Sequence, residues 1–270
     1  MKKCPNCHTV LPDPARFCHQ CGARVEEPPR NFSAPGPEDI AAHFFETLRY
    51  KVREEQDASL QEQYLQRFRE SDFGRIFDIR IDQLTAAAAD LADHHSQPKE
   101  AIAAFLDPAL DDLSDFFIIR YCRDLHVVPI PEAVLQYQQM APEQIDLFRF
   151  IMDYLHFESE PETVYTNLLQ MPVEKLRNAS QAFLFPAKQE RIFFICDLSL
   201  LGSCKEGFAM TDKALYWKTP LEKARKVAFS GLEQIRREKD WLQINGLFFH
   251  ASRTLDVRLM KLLRRLKKWF

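Results

Sequence analysis

Cys4-Pro5-Asn6-Cys7 and Cys18-His19-Gln20-Cys21-Gly22 stand ten residues apart at the start of a chain of 270 residues. Each Cys-x-x-Cys pair can turn two sulfurs onto one ion, and two such pairs complete a tetrahedral four-thiolate site. A segment of about 25 residues has too little apolar surface to fold alone, whereas structural zinc supplies on the order of 10–16 kcal/mol. The expected cofactor is therefore a structural zinc ion held by Cys4, Cys7, Cys18 and Cys21, with Val10, Leu11 and Phe17 covering one side. The same ligand set would take iron. A closed four-sulfur site has no open position for water or substrate, which points to structure rather than metal catalysis. A redox dithiol needs only one such pair, and two in so short a segment argue against it.

The order Cys-Pro-x-Cys, an arm ending in Phe-Cys, then Cys-Gly resembles the zinc-ribbon family over residues 1–25. It departs from that pattern at His8, where the first knuckle often carries glycine, and His8 and His19 are the substitute ligands to consider. Residues 26–37 follow with four prolines and no apolar period. They read as a semi-rigid linker reaching about 37 Å at ~3.1 Å per residue.

Beyond the linker, composition divides the chain. Residues 38–172 carry 11 basic and 26 acidic side chains, residues 173–270 carry 20 and 10, and the formal net charge of −3 conceals this asymmetry. With 46% hydrophobic residues the chain can fill real cores. Its longest apolar runs, such as Phe116–Ile119, fall far short of the roughly 18–20 residues of a membrane span. The polar N-terminus, the absence of a signal-peptide core and the unpatterned Cys122, Cys196 and Cys204 make a reducing cytoplasm the expected location.

Residues 38–172 read as an acidic all-helical domain. Ile40, Phe44, Leu48 and Val52 fall on one helical face, and Phe73, Phe77, Ile81 and Leu84 on another. Pro37, Pro98, Pro131, Pro142, Pro161 and Pro172 each precede a carboxylate, the pairing favoured at helix starts. Six to eight helices are predicted in an irregular bundle. The apolar run Leu113, Phe116, Phe117, Ile118 and Ile119 marks the central one. Asp90 with His94, and Asp111 with Asp112 and Asp115, have spacings that could hold a cation. The simpler reading is a wet helix end and a wet helix face.

In residues 173–270 a helix bearing Leu176, Ala179, Phe183 and Leu184 gives way to strand periodicity. Strands are predicted at 191–197, 207–211, 214–218, 225–229, 241–244 and 247–251, with a tight hairpin at Asn245-Gly246. The last helix places Leu255, Leu259, Leu262, Leu263 and Leu266 in one stripe. Arg258, Lys261, Arg264, Arg265, Lys267 and Lys268 lie opposite, a candidate basic interaction surface for phosphate, anionic membrane or the acidic middle domain, with a solvated or internally salt-bridged face as the plainer reading. Several strands closed by one helix, with Gly207-Phe208-Ala209-Met210-Thr211-Asp212-Lys213-Ala214-Leu215-Tyr216-Trp217-Lys218, then Val227-Ala228-Phe229 and Trp241-Leu242-Gln243-Ile244-Asn245-Gly246, resembles the pleckstrin-homology-like (PH-like) family. The bacterial members, small proteins that also carry an N-terminal zinc ribbon, are the nearest in wording. The resemblance implies a bent antiparallel sheet capped by a helix, a binding or assembly module with no catalytic residues to transfer. Phosphoinositide-binding relatives carry a basic first loop, whereas Leu198–Glu206 offers only Lys205.

The fold class expected is therefore a multidomain α+β chain: zinc ribbon, helical middle domain and PH-like C-terminal domain. No phosphate-binding Gly-Lys-Ser/Thr loop, Gly-x-Gly-x-x-Gly, Gly-x-Ser-x-Gly or His-Glu-x-x-His occurs. The leading expectation is a non-enzymatic zinc-binding interaction or scaffold protein with protein partners, in stress response or regulated assembly. Beside it stand a nucleic-acid-binding regulator, using Lys2, Lys3, Arg16, Arg24 and the basic last helix, and a protein that attaches to anionic membrane through Leu255–Phe270.

Overall fold

A computed structural model describes residues 2–4, 6–11, 17–23 and 33–270. The linker residues 26–32, and Arg16 and Arg24 of the basic arm, lie outside the described residues. Strands β1 (Lys2–Lys3) and β2 (Val10–Leu11) pair antiparallel beside the cysteines.

Helix α1 (Pro37–Glu55) starts where Pro37 needs no N–H partner and the Asp39 carboxylate accepts the Gly36 N–H at 2.9 Å. Its Ile40, Phe44, Leu48 and Val52 are all buried. With α2 (Gln61–Glu70), α3 (Phe73–His94) and α4 (Pro98–Tyr121) it encloses a core of phenylalanines. The Phe44 and Phe77 ring centroids lie 4.8 Å apart, as do those of Phe73 and Phe117. Such tilted contacts add roughly 0.5–1.5 kcal/mol each beyond area burial. The C-terminal half of α4 serves two cores: Phe117 and Ile118 face this bundle, Ile119 the neighbouring one.

Downstream, α5 (Leu147–Leu155) and α6 (Val173–Ala182) flank an antiparallel sheet of order β3-β4-β5-β6-β7. Its strands are Thr163–Tyr165, Ile192–Asp197, Gly207–Thr211, Ala214–Lys218 and Arg225–Ala228. A second sheet, β10-β9-β8, uses Ile235–Glu238 (β8), Trp241–Ile244 (β9) and Leu247–Phe249 (β10). Strand alternation sorts the first sheet's side chains into two cores. Phe194, Cys196, Phe208, Met210, Leu215 and Trp217 point inward, towards α7 (Arg253–Leu266) and the second sheet. Ile195, Ala209, Ala214 and Tyr216 point outward, under Ala179 of α6 and Phe183 just after it.

Several expectations change. Among the described residues the stretch 38–172 holds five α-helices. Pro131 and Pro142 open short 3-10 turns, and Pro161 leads into strand β3. A boundary at residue 172 cuts through one hydrophobic core, since Val164 of β3 pairs with Cys196 of β4 and that core runs from Ile119 to Leu266. Strand β8 escapes sequence reading because three of its four residues are charged. It is an edge strand, where charges deter pairing with other chains. The Asn245-Gly246 hairpin forms as expected, with φ of 50° and 79°. Among the described residues no helix is long and apolar enough to cross a membrane.

Gly207 begins β5 where β4 passes closest. A Cβ there would lie 2.1 Å from the Cys196 carbonyl oxygen, a backbone atom with no freedom to yield. Gly207→Ala is expected to lower stability by about 2–3 kcal/mol, seen as a lower urea midpoint at unchanged slope.

Candidate metal centre and the basic helix

Both cysteine knuckles fold to the same pattern. The His8 N–H donates to the Cys4 carbonyl at 3.0 Å and the Cys4 N–H to the Thr9 carbonyl at 2.9 Å. In the second knuckle Gly22 donates to Cys18 at 2.9 Å and Cys18 to Ala23 at 2.9 Å. The Asn6 and Cys7 N–H groups point at the Cys4 sulfur, and the Gln20 N–H at that of Cys18, at 3.4–3.5 Å. These donors favour thiolate charge. The four Sγ atoms lie within 4.8 Å of one another, with Cys4–Cys21 and Cys7–Cys18 at 3.5 Å. A zinc ion at ~2.3 Å from each sulfur gives a tetrahedron with edges of about 3.8 Å, a spacing that lies between the 3.5 Å pairs and the 4.8 Å limit of the set. The Thr9 hydroxyl and N–H hold the Cys7 thiol down to about 6, and the Cys7 N–H lowers that of Cys4. Burial pushes Cys18 up to about 11.

His8 and His19 are exposed and stand outside the four-sulfur cluster. His8 nonetheless matters to the backbone: its φ of 59° matches the 70° of Gly22 at the equivalent position. The left-handed conformation costs a side chain about 1–2 kcal/mol. Gly22→Ala is accordingly expected to weaken metal binding about 5- to 30-fold in a chelator competition. His8→Gly should strengthen it by less, because glycine also gains freedom in the unfolded chain. Leu11 alone of the three expected apolar side chains is buried; Val10 and Phe17 are exposed.

The charged back of α7 is not a free surface. Arg258 is 2% and Lys261 6% exposed. Arg258 donates to the Glu160 carboxylate at 2.8 Å, to Ser159 Oγ at 2.9 Å and to the Pro129 carbonyl at 2.9–3.0 Å. Lys261 bridges Glu55 of α1 and Asp115 of α4 at 2.7 and 2.6 Å. Asp115 also takes Lys51 at 2.8 Å, Asp111 takes Lys51 at 2.6 Å and Lys268 at 3.5 Å, and Asp112 takes Arg265 at 2.7 Å. An alternating ladder thus runs between α1, α4 and α7. Burial alone would drive the Asp115 carboxyl up, and Lys261 and Lys51 more than reverse it, so it titrates below its ordinary value. The ladder borders a space of about 40 Å³, room for a few water molecules at most.

A basic interaction surface made of all six residues is therefore corrected. Arg258, Lys261 and Arg265 are engaged inside the molecule, Lys267 donates to the Glu233 carbonyl, and Arg264 to Tyr50 and Ile235. Asp111, Asp112 and Asp115, read as a wet face, are the counter-surface. Asp90 and His94 form an exposed i,i+4 pair at 3.1 Å. Sequence periodicity could show α7 to be amphipathic but could not show that both its faces are covered.

The fold and the site together define a metal-binding ribbon followed by a helical bundle and two antiparallel sheets with a final helix. Residues 3–25 match the family model of the zinc-ribbon domain. No curated protein and no solved structure matches the chain.

Proposed function

We propose that the protein is a non-enzymatic interaction protein whose zinc ribbon docks a protein partner in the cytoplasm, in a setting of stress response or regulated assembly. The observation that carries this reading is the ribbon itself. Its metal position is enclosed by four sulfurs, its small core among the described residues holds only Leu11 besides cysteines and Ala23, and Val10 and Phe17 face outward beside it. Exposed apolar side chains on a metal-held knob are what a docking surface offers. The C-terminal module is proposed to be PH-like, supported by strands β4–β7, then β8–β10, then α7 in that order. One end of its larger sheet offers a second contact. Leu200 and Leu201 between β4 and β5, and Leu221 between β6 and β7, stand almost fully exposed at the same edge.

Nucleic-acid binding loses its principal surface with Arg258 and Lys261 buried. Membrane attachment through 255–270 loses the leucine stripe to the core. The test is affinity capture with the intact protein and with Phe17→Ser, which leaves the four cysteines in place. A partner lost with Phe17→Ser and with Cys4→Ser/Cys7→Ser supports the reading. A partner set identical in all three, or tight duplex binding with a steep salt slope, overturns it.

A further inference from the structure

Where α1 ends against the second sheet, four cations from three elements converge on a polar cleft of about 280 Å³: Arg53, Arg237, Lys239 and Arg253. Arg237 of β8 donates to the Glu54 carbonyl at 2.7 Å, and Arg253 of α7 to the Gln56 carbonyl at 3.2 Å. Those two carbonyls lie two residues apart, so the guanidiniums are neighbours, and among the described residues neither has a carboxylate within ion-pair distance. Burial, and after it the repulsion of Arg253, lowers the pKa of Arg237 despite the nearby Asp240, Asp256 and Glu54. The cleft also holds three carboxylates: Glu54 pairs with Arg53 at 3.5 Å, Asp57 accepts the Ser59 N–H and hydroxyl at 2.9 and 2.7 Å and also feels Arg253 and Arg237, and Asp240 faces Arg237.

Capping the C-terminus of α1 would account for one cation. It does not account for two local choices that work against the fold. Lys239 holds a φ of 52° in the two-residue β8–β9 turn, a conformation that the β9–β10 turn assigns to Asn245-Gly246. Arg253 occupies the first position of α7, the positive end of its dipole, where a cation is disfavoured. Both choices direct positive charge into the same cleft, and strain of this kind collects at ligand clamps. The floor is also fixed in advance. Gln56 is buried and its amide is zipped to Val127 and Val128 by three bonds of 2.9–3.0 Å.

We infer that this cleft is a binding site for a diphosphate group. Arg237 and Arg253 each use one of five N–H donors on the helix end, leaving the rest for phosphoryl oxygens, with Lys239 as a further charge. The cleft of about 280 Å³ has room for two phosphoryl groups.

The probe is inorganic pyrophosphate, titrated calorimetrically into the full-length zinc-loaded protein at constant ionic strength, with a nucleoside diphosphate in parallel. Saturable binding is expected, weakened about 10-fold or more in Arg253→Gln and again in Lys239→Ala. Both variants remove exposed side chains from unfavourable backbone positions and should fold. Tighter binding of the nucleoside diphosphate with the same loss in the variants assigns the diphosphate to a nucleotide; equal binding assigns it to an inorganic or other source. No saturable binding of either probe, or binding unchanged in both variants, overturns the site.

Discussion

Replacing Lys261 by methionine is expected to lower stability by about 3–5 kcal/mol, because it takes from buried Glu55 its ion-pair partner, leaving only the more distant Lys51, and halves the charge facing Asp115. The loss arises from desolvated carboxylates rather than from the value of the ion pair. A buried pair exchanged for apolar groups is often neutral. Lys261→Met combined with Glu55→Leu should therefore recover most of the loss, since Asp115 keeps Lys51 at 2.8 Å. Urea unfolding of the two variants and the wild type decides this. If the double variant is as unstable as the single one, burial of an unpaired Glu55 is not the cause. The pH dependence has a definite sign. Asp111 and Asp115 titrate below the ordinary carboxylate value, so their contribution is complete above pH ~4 and fades on acidification below it.

Removing the metal should unfold the described ribbon residues 2–4, 6–11 and 17–23 and leave the rest standing. The ribbon's core, Cys4, Leu11 and Cys18 with Cys7 and Ala23, shares no member with the other three. The ion's coupled energy of roughly 10–16 kcal/mol is therefore local. On chelation, hydrogen-exchange protection should vanish around the four cysteines while the far-UV helix signal, which comes from residues 37–266, stays within a few per cent. Acid should release the ion as the thiolates protonate. A large fall in helix signal on chelation would show instead that the ribbon supports the body.

The metal ligands were legible because chemistry fixes their spacing: four thiols must reach one point, and local chain geometry brings them there. The faces of α1 and α3 were legible for a similar reason, since Phe44, Phe73 and Phe77 recur at the helical period and each has one side to bury. Strand β8 was not, because Arg236, Arg237 and Glu238 suit an exposed edge and show no apolar alternation. The start of the sheet module was also missed. Thr163–Tyr165 is only three residues long, and its partner β4 lies nearly thirty residues downstream.

The sequence by itself determined the ribbon, the helical bundle, most strands, the Asn245-Gly246 turn and the two faces of the last helix. Each depends on residues near one another in the chain. Only the tertiary structure decided what the basic face of α7 meets. A row of Lys and Arg on a helix is equally suited to phosphate, membrane or carboxylate, and its partners here, Glu55, Asp111, Asp112 and Asp115, lie about 150–200 residues away. Charge has no range along the sequence. It is satisfied by whatever the packing of the apolar stripe brings opposite, and that stripe, buried against the sheets, turns the basic face onto the acidic bundle.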